Sequence, residues 1–178
     1  MNCIDKCNCS DINRNEKRIR YLSDCLKTIK YKLDKFPDLC LNKIDSDGWF
    51  PLHEATKCCR LDIVRFILNP DCFEDRVKTD VNIFTSSGYN PLHLAILNGW
   101  IYISSELINS GANINMKTYS GKTPLFLGAE TNKKEIVKLL LENGADPKIR
   151  DNKGRLARDM TKNREIQKII DEFQDLPS

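Results

Sequence analysis

The sequence predicts an all-α solenoid, built from stacked pairs of short helices and closed by a helical cap at each end. Three observations carry that expectation. A phrase opening on glycine recurs: Gly48 begins GWFPLHEAT, Gly88 begins GYNPLHLAI, Gly121 begins GKTPLFLGA and Gly154 begins GRLARDM, at spacings of 40, 33 and 33 residues. A second phrase follows in each of the first three units, LDIVRFIL from Leu61, YISSELINSGANIN from Tyr102 and KEIVKLLLENGADPK from Lys134. Two short helices and a turn cannot bury their apolar faces alone, so copies at a fixed period stack into one continuous core.

The elements follow in chain order. Residues 1–13 read as a flexible tail and 14–44 as a capping helix with its connection. From Arg14 to Phe36, apolar Ile19, Leu22, Leu26, Ile29, Leu33 and Phe36 step by three and four, one stripe on a helix of about 34 Å that Pro37 ends. Such a stripe is either a cap lying on the first repeat or a coiled-coil seam; three heptads are short for the seam and favour the cap. Repeats then span 45–84, 85–117 and 118–150, followed by a degenerate fourth unit at 151–173 and a tail at 174–178. Within each repeat the glycine marks a turn position with positive φ. Pro51, Pro91 and Pro124 fit the first turn of a helix, where a missing N–H costs nothing. Asn90 and Thr123 suit the N-cap; Phe50 in the same place cannot accept a backbone hydrogen bond, so its helix starts less firmly, by about 0.5–2 kcal/mol. Ile136, Val137, Leu139, Leu140 and Leu141 mark a second helix, and Gly111 and Gly144 stop the second helices in the left-handed conformation. In the last unit Ile166, Ile169, Ile170 and Phe173 form one apolar face beneath many charges, the pattern of a cap. The additional residues between the first two repeats fall near NPDCFEDRVKTD, residues 69–80, as an outward extension that could carry specificity.

Turn glycine, helix-start proline and terminal GA, recurring together in GKTPLFLGAE and LLLENGADPKIRD, resemble the ankyrin repeat over residues 45 to about 173. The resemblance implies an ankyrin-repeat solenoid that binds other proteins. It also implies that His53 and His93, in the PLH phrase, brace the neighbouring turn by hydrogen bonds, with Phe126 in the third copy.

Composition bounds the remaining possibilities. With 178 residues, 40% hydrophobic and 30% charged, and a mean hydropathy of −0.46, the chain folds as one soluble unit. No apolar run approaches the roughly 18–20 residues that span a bilayer, and Met1 to Ser10 lacks the apolar core of a secretory signal, so no membrane partner and a cytoplasmic, or also nuclear, location are expected. The eight cysteines, all within the first 72 residues, then read as reduced thiols. A formal charge of +3 implies no nucleic-acid partner without a concentrated patch. The stretch from Arg14 to Lys35 holds eight Lys or Arg against Glu16, Asp24 and Asp34, yet cations opposite an apolar stripe are also what a solvated cap helix shows, and nucleic-acid contact is the lesser reading.

Little in the chain prepares catalysis. His53 and His93 occupy equivalent places in successive repeats and the chain has no other histidine, which excludes histidine triads and zincin-type sites. Cys3, Cys7 and Cys9 supply three thiols where a structural zinc wants four ligands, at a spacing that fits no common finger. Nothing nearby activates Cys58 or Cys59, and no glycine-rich phosphate loop occurs. No enzymatic activity, catalytic residue, metal or cofactor is expected.

Binding falls instead to residues that the repeat does not dictate. In a solenoid the turns align as a row of fingers, with the inner helices as a palm behind them. At the turns these residues are Asp47, Trp49, Phe50, Tyr89, Tyr119, Lys122 and Arg155; on the inner helices they are Lys57, Leu97, Trp100 and Glu130. Trp49, Phe50 and Tyr89 are the sharpest candidates, since aromatics are enriched among interface anchors; the alternative for them is packing sideways on the next turn. For Trp100, at the head of a second helix, packing is favoured. The order of the units, with GYNPLHLAILNGW and TKNREIQKIIDEF, also resembles inhibitors of NF-κB, including short virus-encoded mimics. That resemblance implies a protein that binds Rel-type transcription factors and blocks their nuclear import and DNA binding; the chain is expected to act as a monomer. No DSGxxS degradation signal precedes the repeats, and DEFQDLPS is too short for an acidic degradation region. A generic adaptor or host-directed effector is the alternative.

Overall fold

The computed structural model describes residues 49–68 and 79–174. The expected tail at 1–13, the capping helix and connection at 14–44, Asp47, the Gly48 turn, residues 69–78 of the extension and the end of the final tail lie outside these residues.

Helices come in pairs, as the repeated phrases require. The first pair is α1, Pro51–Lys57, and α2, Leu61–Leu68; the second is α3, Pro91–Asn98, and α4, Ile101–Asn109; the third is α5, Pro124–Glu130, and α6, Lys134–Glu142. The fourth unit tightens to a 3₁₀ turn at Ala157–Met160, followed by α7, Arg164–Gln174. Among the described residues there is no strand. The inner row runs α1, α3, α5 and the 3₁₀ turn, each against the next; the outer row runs α2, α4, α6 and α7 in the same way. Between them Leu52, Val64, Leu92, Ile96, Leu107, Leu125, Val137, Leu140, Ile166 and Ile170 are buried in one cluster that passes through every unit. Each such side chain contributes about 1.5–3 kcal/mol by leaving water. At the C-terminal end Ile166 and Ile170 are buried while Ile169 and Phe173 are partly covered, so α7 lays its apolar face on the stack.

The helix starts behave as their caps dictate. Asn90 Oδ1 accepts the His93 N–H at 2.9 Å, and the Asn90 N–H donates to His93 Nδ1 at 3.1 Å. Thr123 Oγ1 accepts the Phe126 N–H at 3.3 Å. Phe50 makes no side-chain cap, and α1 begins on backbone bonds alone.

The turns share one construction. Gly88, Gly121 and Gly154 sit at φ of 76°, 78° and 75°, a region that a Cβ disfavours. Each turn closes with a backbone bond from Thr85, Thr118 or Asp151 to the carbonyl of Tyr89, Lys122 or Arg155, at 2.9, 2.9 and 3.0 Å. The same three residues accept the returning N–H on their side chains, at 3.2, 3.2 and 2.9 Å. The chain therefore projects as a stiff finger ahead of each inner helix.

Between the helices of a pair, Gly99 and Asn132 take positive φ, and Cys59 takes the equivalent place at φ 56°. Cys58 and Cys59 are both partly exposed.

Candidate functional site

Both histidines lie fully inside the stack. In His93, Nδ1 accepts from Asn90, which leaves Nε2 to carry the proton and donate to the Met116 carbonyl at 2.9 Å. His53 Nε2 instead meets the Tyr89 carbonyl at 3.1 Å, across the gap to the next finger, and its Nδ1 is buried without a partner. Burial pushes both imidazoles down to about 4, so both are neutral at pH 7. They brace turns, as the ankyrin resemblance implies. In the third repeat Phe126 fills the same place, with the Lys122 ammonium and the Arg155 guanidinium each 5.5 Å from its ring centre.

The exposed chemistry lies on the fingers and on the ends of the inner helices. Trp49 stands edge-on to His53 at 5.9 Å and carries the Lys57 ammonium over its ring at 4.6 Å. Phe50 packs at 5.6 Å from the same imidazole. Tyr89 stands edge-on to His93 at 6.2 Å. Lys122 Nζ reaches both carboxylate oxygens of Glu130 at 2.7 Å. Arg155 grips Asp151 Oδ2 through Nε at 2.9 Å and Nη2 at 2.6 Å. Burial of Asp151 opposes its ionisation, but these bonds and the turn N–H groups outweigh it and hold the carboxyl below the usual range.

One register links the candidates. Trp49 with Lys57, Tyr89 with Leu97 and Lys122 with Glu130 hold equivalent places, one at the finger and one eight residues on at the end of the inner helix. The first pair meets by cation–π contact and the third by a salt bridge, while the middle place is half-buried and apolar. The repeat fixes where these side chains stand and leaves their chemistry open.

Two candidates sit differently. Trp100 heads α4 and packs against the core, with its indole N–H buried and unpaired. Tyr119 is 68% exposed, yet its ring lies across Gly88 of the preceding finger and stacks on Phe84 at 6.3 Å. On the opposite side, Asn152 Nδ2 donates to the Tyr119 carbonyl at 3.0 Å. Adjacent fingers are thus in contact through side chains.

The sequence reading missed two further sets. Phe84, Lys117 and Arg150 recur at the same 33-residue spacing just ahead of the fingers; Lys117 Nζ donates to the Arg150 carbonyl at 3.1 Å. Thr85, Thr118 and Asp151, one residue on, brace the fingers as described. The glycine period extended a few residues upstream would have found both. Among the described residues no group of three His, Cys, Asp or Glu side chains gathers as a metal set, and no helix is long and apolar enough to cross a membrane.

Comparison with known proteins agrees with this geometry. A family model for three ankyrin copies matches residues 69–151, and one for a single ankyrin repeat matches residues 47–75. The chain is 30% identical over 108 residues to the probable 26S proteasome regulatory subunit p28 of Saccharomyces cerevisiae, covering 61% of this chain and 42% of the relative. It is 29% identical over 126 residues to human BCL-6 corepressor-like protein 1, covering 70% of this chain and 7% of that protein. It is 35% identical over 82 residues to ankyrin repeat and SOCS box protein 3 of Bos taurus, covering 46% of this chain and 15% of the relative. The match therefore spans less than half the length of each of these relatives. The recurring glycine fingers, the imidazole braces and the paired rows of helices, together with the two family matches, place this chain in the ankyrin repeat family.

Proposed function

We propose that this protein is a non-enzymatic binding module that grips another protein along its fingers and inner helices. The carrying observation is the register of Trp49 with Lys57, Tyr89 with Leu97 and Lys122 with Glu130: a row of exposed or half-exposed side chains whose chemistry the fold does not prescribe. Ankyrin stacks are typically interaction modules, and the two histidines that could have served chemistry are neutral, buried and committed to turns. The module acts as a monomeric adaptor in the cytosol or nucleus, the compartment that its many cysteines suit as thiols.

The finer reading, an inhibitor of Rel-type factors, draws on the order of the units and on the segments GYNPLHLAILNGW and TKNREIQKIIDEF. The exposed cations at the C-terminal fingers, Lys117, Arg150 and Lys153, disfavour it, because import segments are rich in Lys and Arg and would be repelled. Affinity purification with mass spectrometry tests the proposal. The wild-type chain is expected to retain a protein that the double variant Trp49→Ala plus Tyr89→Ala loses at unchanged circular dichroism. Retention by the double variant contradicts the assignment of the face. Displacement of a Rel dimer from DNA in a gel shift would favour the inhibitor over the general adaptor.

A further inference from the structure

The finger row changes chemistry along its length. Toward the N-terminal side it presents Trp49, Phe84, Tyr89 and Leu97, aromatic or aliphatic and partly covered. Toward the C-terminal side the equivalent of Phe84 is Lys117 and then Arg150, and the equivalents of Tyr89 are Lys122 and Arg155. Lys122 and Arg155 are matched by Glu130 and Asp151. Lys117, Arg150 and Lys153 are exposed, and none forms an ion pair with a carboxylate among the described residues.

These cations are nevertheless held in place. Lys117 Nζ donates to the Arg150 carbonyl at 3.1 Å and so bridges successive fingers, while Arg150 Nη1 donates to the Gly154 carbonyl at 2.6 Å within its own finger. A carbonyl orients a cation without neutralising it. Two oriented positive groups joined through one strand of backbone, with Lys153 at the tip of the same finger, raise the local potential, and an anion set against them lowers it.

We infer that the last two fingers, through Lys117, Arg150 and Lys153, receive an acidic stretch of a partner protein, whose adjoining aliphatic or aromatic residues lie on Phe84, Tyr89 and Leu97. The inference rests on the protein-binding reading above and specifies its partner. A protein fits better than single-stranded nucleic acid, because bases need open aromatic faces to stack on. Tyr119, the exposed aromatic between the cations and the apolar end, already spends a ring face on Gly88 and Phe84. Charge complementarity of this kind sets specificity and association rate more than raw affinity, and it is sensitive to salt.

Fluorescence anisotropy on the full chain tests it with three labelled probes: a peptide of ten glutamates, a peptide of three leucines followed by eight glutamates, and an oligothymidylate. Both peptides are expected to bind in dilute salt and to weaken at least tenfold when salt is raised tenfold. The triple variant Lys117→Gln, Arg150→Gln, Lys153→Gln should weaken both at least tenfold with unchanged circular dichroism. Lys153→Gln alone, which removes no side-chain bond, should weaken both about threefold. Tyr89→Ala should weaken the leucine-bearing peptide and spare the other. Equal peptide binding by wild type and triple variant, no peptide binding at all, or tighter binding of oligothymidylate than of either peptide would overturn the inference. If the triple variant still retains the purified partner that the Trp49→Ala plus Tyr89→Ala variant loses, the protein-binding reading stands and the acidic-segment reading falls.

Discussion

Lowering the pH from 7.5 to 5 should remove about 4 kcal/mol of folding stability through the two histidines alone. Both are fully buried and have native values of about 4, against 6.5 for the free side chain. The unfolded chain therefore binds more protons than the native one between those limits, and stability rises with pH across that window. The contribution is complete above pH 6.5 and declines as pH falls, until the native imidazoles themselves protonate near pH 4. At pH 5 each unfolded imidazole lies about 1.5 pH units below its own midpoint, which at about 1.4 kcal/mol per unit is about 2 kcal/mol for each. Domains of this size hold only about 5–15 kcal/mol, so the loss is easily read. Urea unfolding followed by circular dichroism at pH 7.5, 6 and 5 measures it. Of the carboxylates held below their usual range, Asp62 and Asp151 titrate below this window, and Glu165, exposed and paired with Lys134, adds little at its lower edge. His93→Phe, the substitution that Phe126 already makes in the next repeat, should halve the slope whatever it does to stability at neutral pH. Stability that stays flat from pH 7.5 to 5, or a slope unchanged in His93→Phe, would refute the reasoning that these imidazoles are enclosed and neutral.

Four substitutions probe the rest of the frame. Gly121 and Gly144 share positive φ, but a Cβ on Gly121 would come within 2.7 Å of the Asn152 backbone nitrogen, whereas nothing lies within 4 Å at Gly144. Denaturant titration should show Gly144→Ala costing about 1–2 kcal/mol from backbone strain, and Gly121→Ala about 1–3 kcal/mol more, with equal losses excluding close contact of the fingers. Leu140→Ala, at a fully buried position, should cost about 2–5 kcal/mol in the same titration. Cys59→Asn puts at φ 56° the residue that Asn132 already provides at φ 53°, and should raise the thermal midpoint by the equivalent of about 0.5–1 kcal/mol.

The features legible in the sequence were those that a single backbone position demands. Gly88, Gly121 and Gly154 announce positive φ, Asn90 and Thr123 announce caps, and Phe50 announces the lack of one, because each depends on residues a few places away and the 33-residue period repeats the demand. Contacts between units were less legible, apart from the imidazole braces that the ankyrin resemblance implies. The phrase places both imidazoles but not the carbonyl that each ring nitrogen meets, that of Tyr89 for His53 and that of Met116 for His93. Tyr119 reads as a free anchor, yet it rests on Gly88, whose missing Cβ is what admits the ring. The left-handed Cys59 was hidden because cysteine carries no turn preference; alignment with Gly99 and Asn132 is its only signal. Of the candidate face, the finger and helix-end positions followed from the period; Lys117 and Arg150 share that period, but the carbonyls that hold their side chains are seen only in the structure.

Hydrogen exchange read by mass spectrometry, on the chain alone and with its purified partner, tests the binding face most directly. Slower exchange on binding is expected in the fingers at 84–90, 117–123 and 150–156, with the outer helices Ile101–Asn109 and Lys134–Glu142 unchanged. Protection confined to those outer helices, with the fingers exchanging as before, would contradict it.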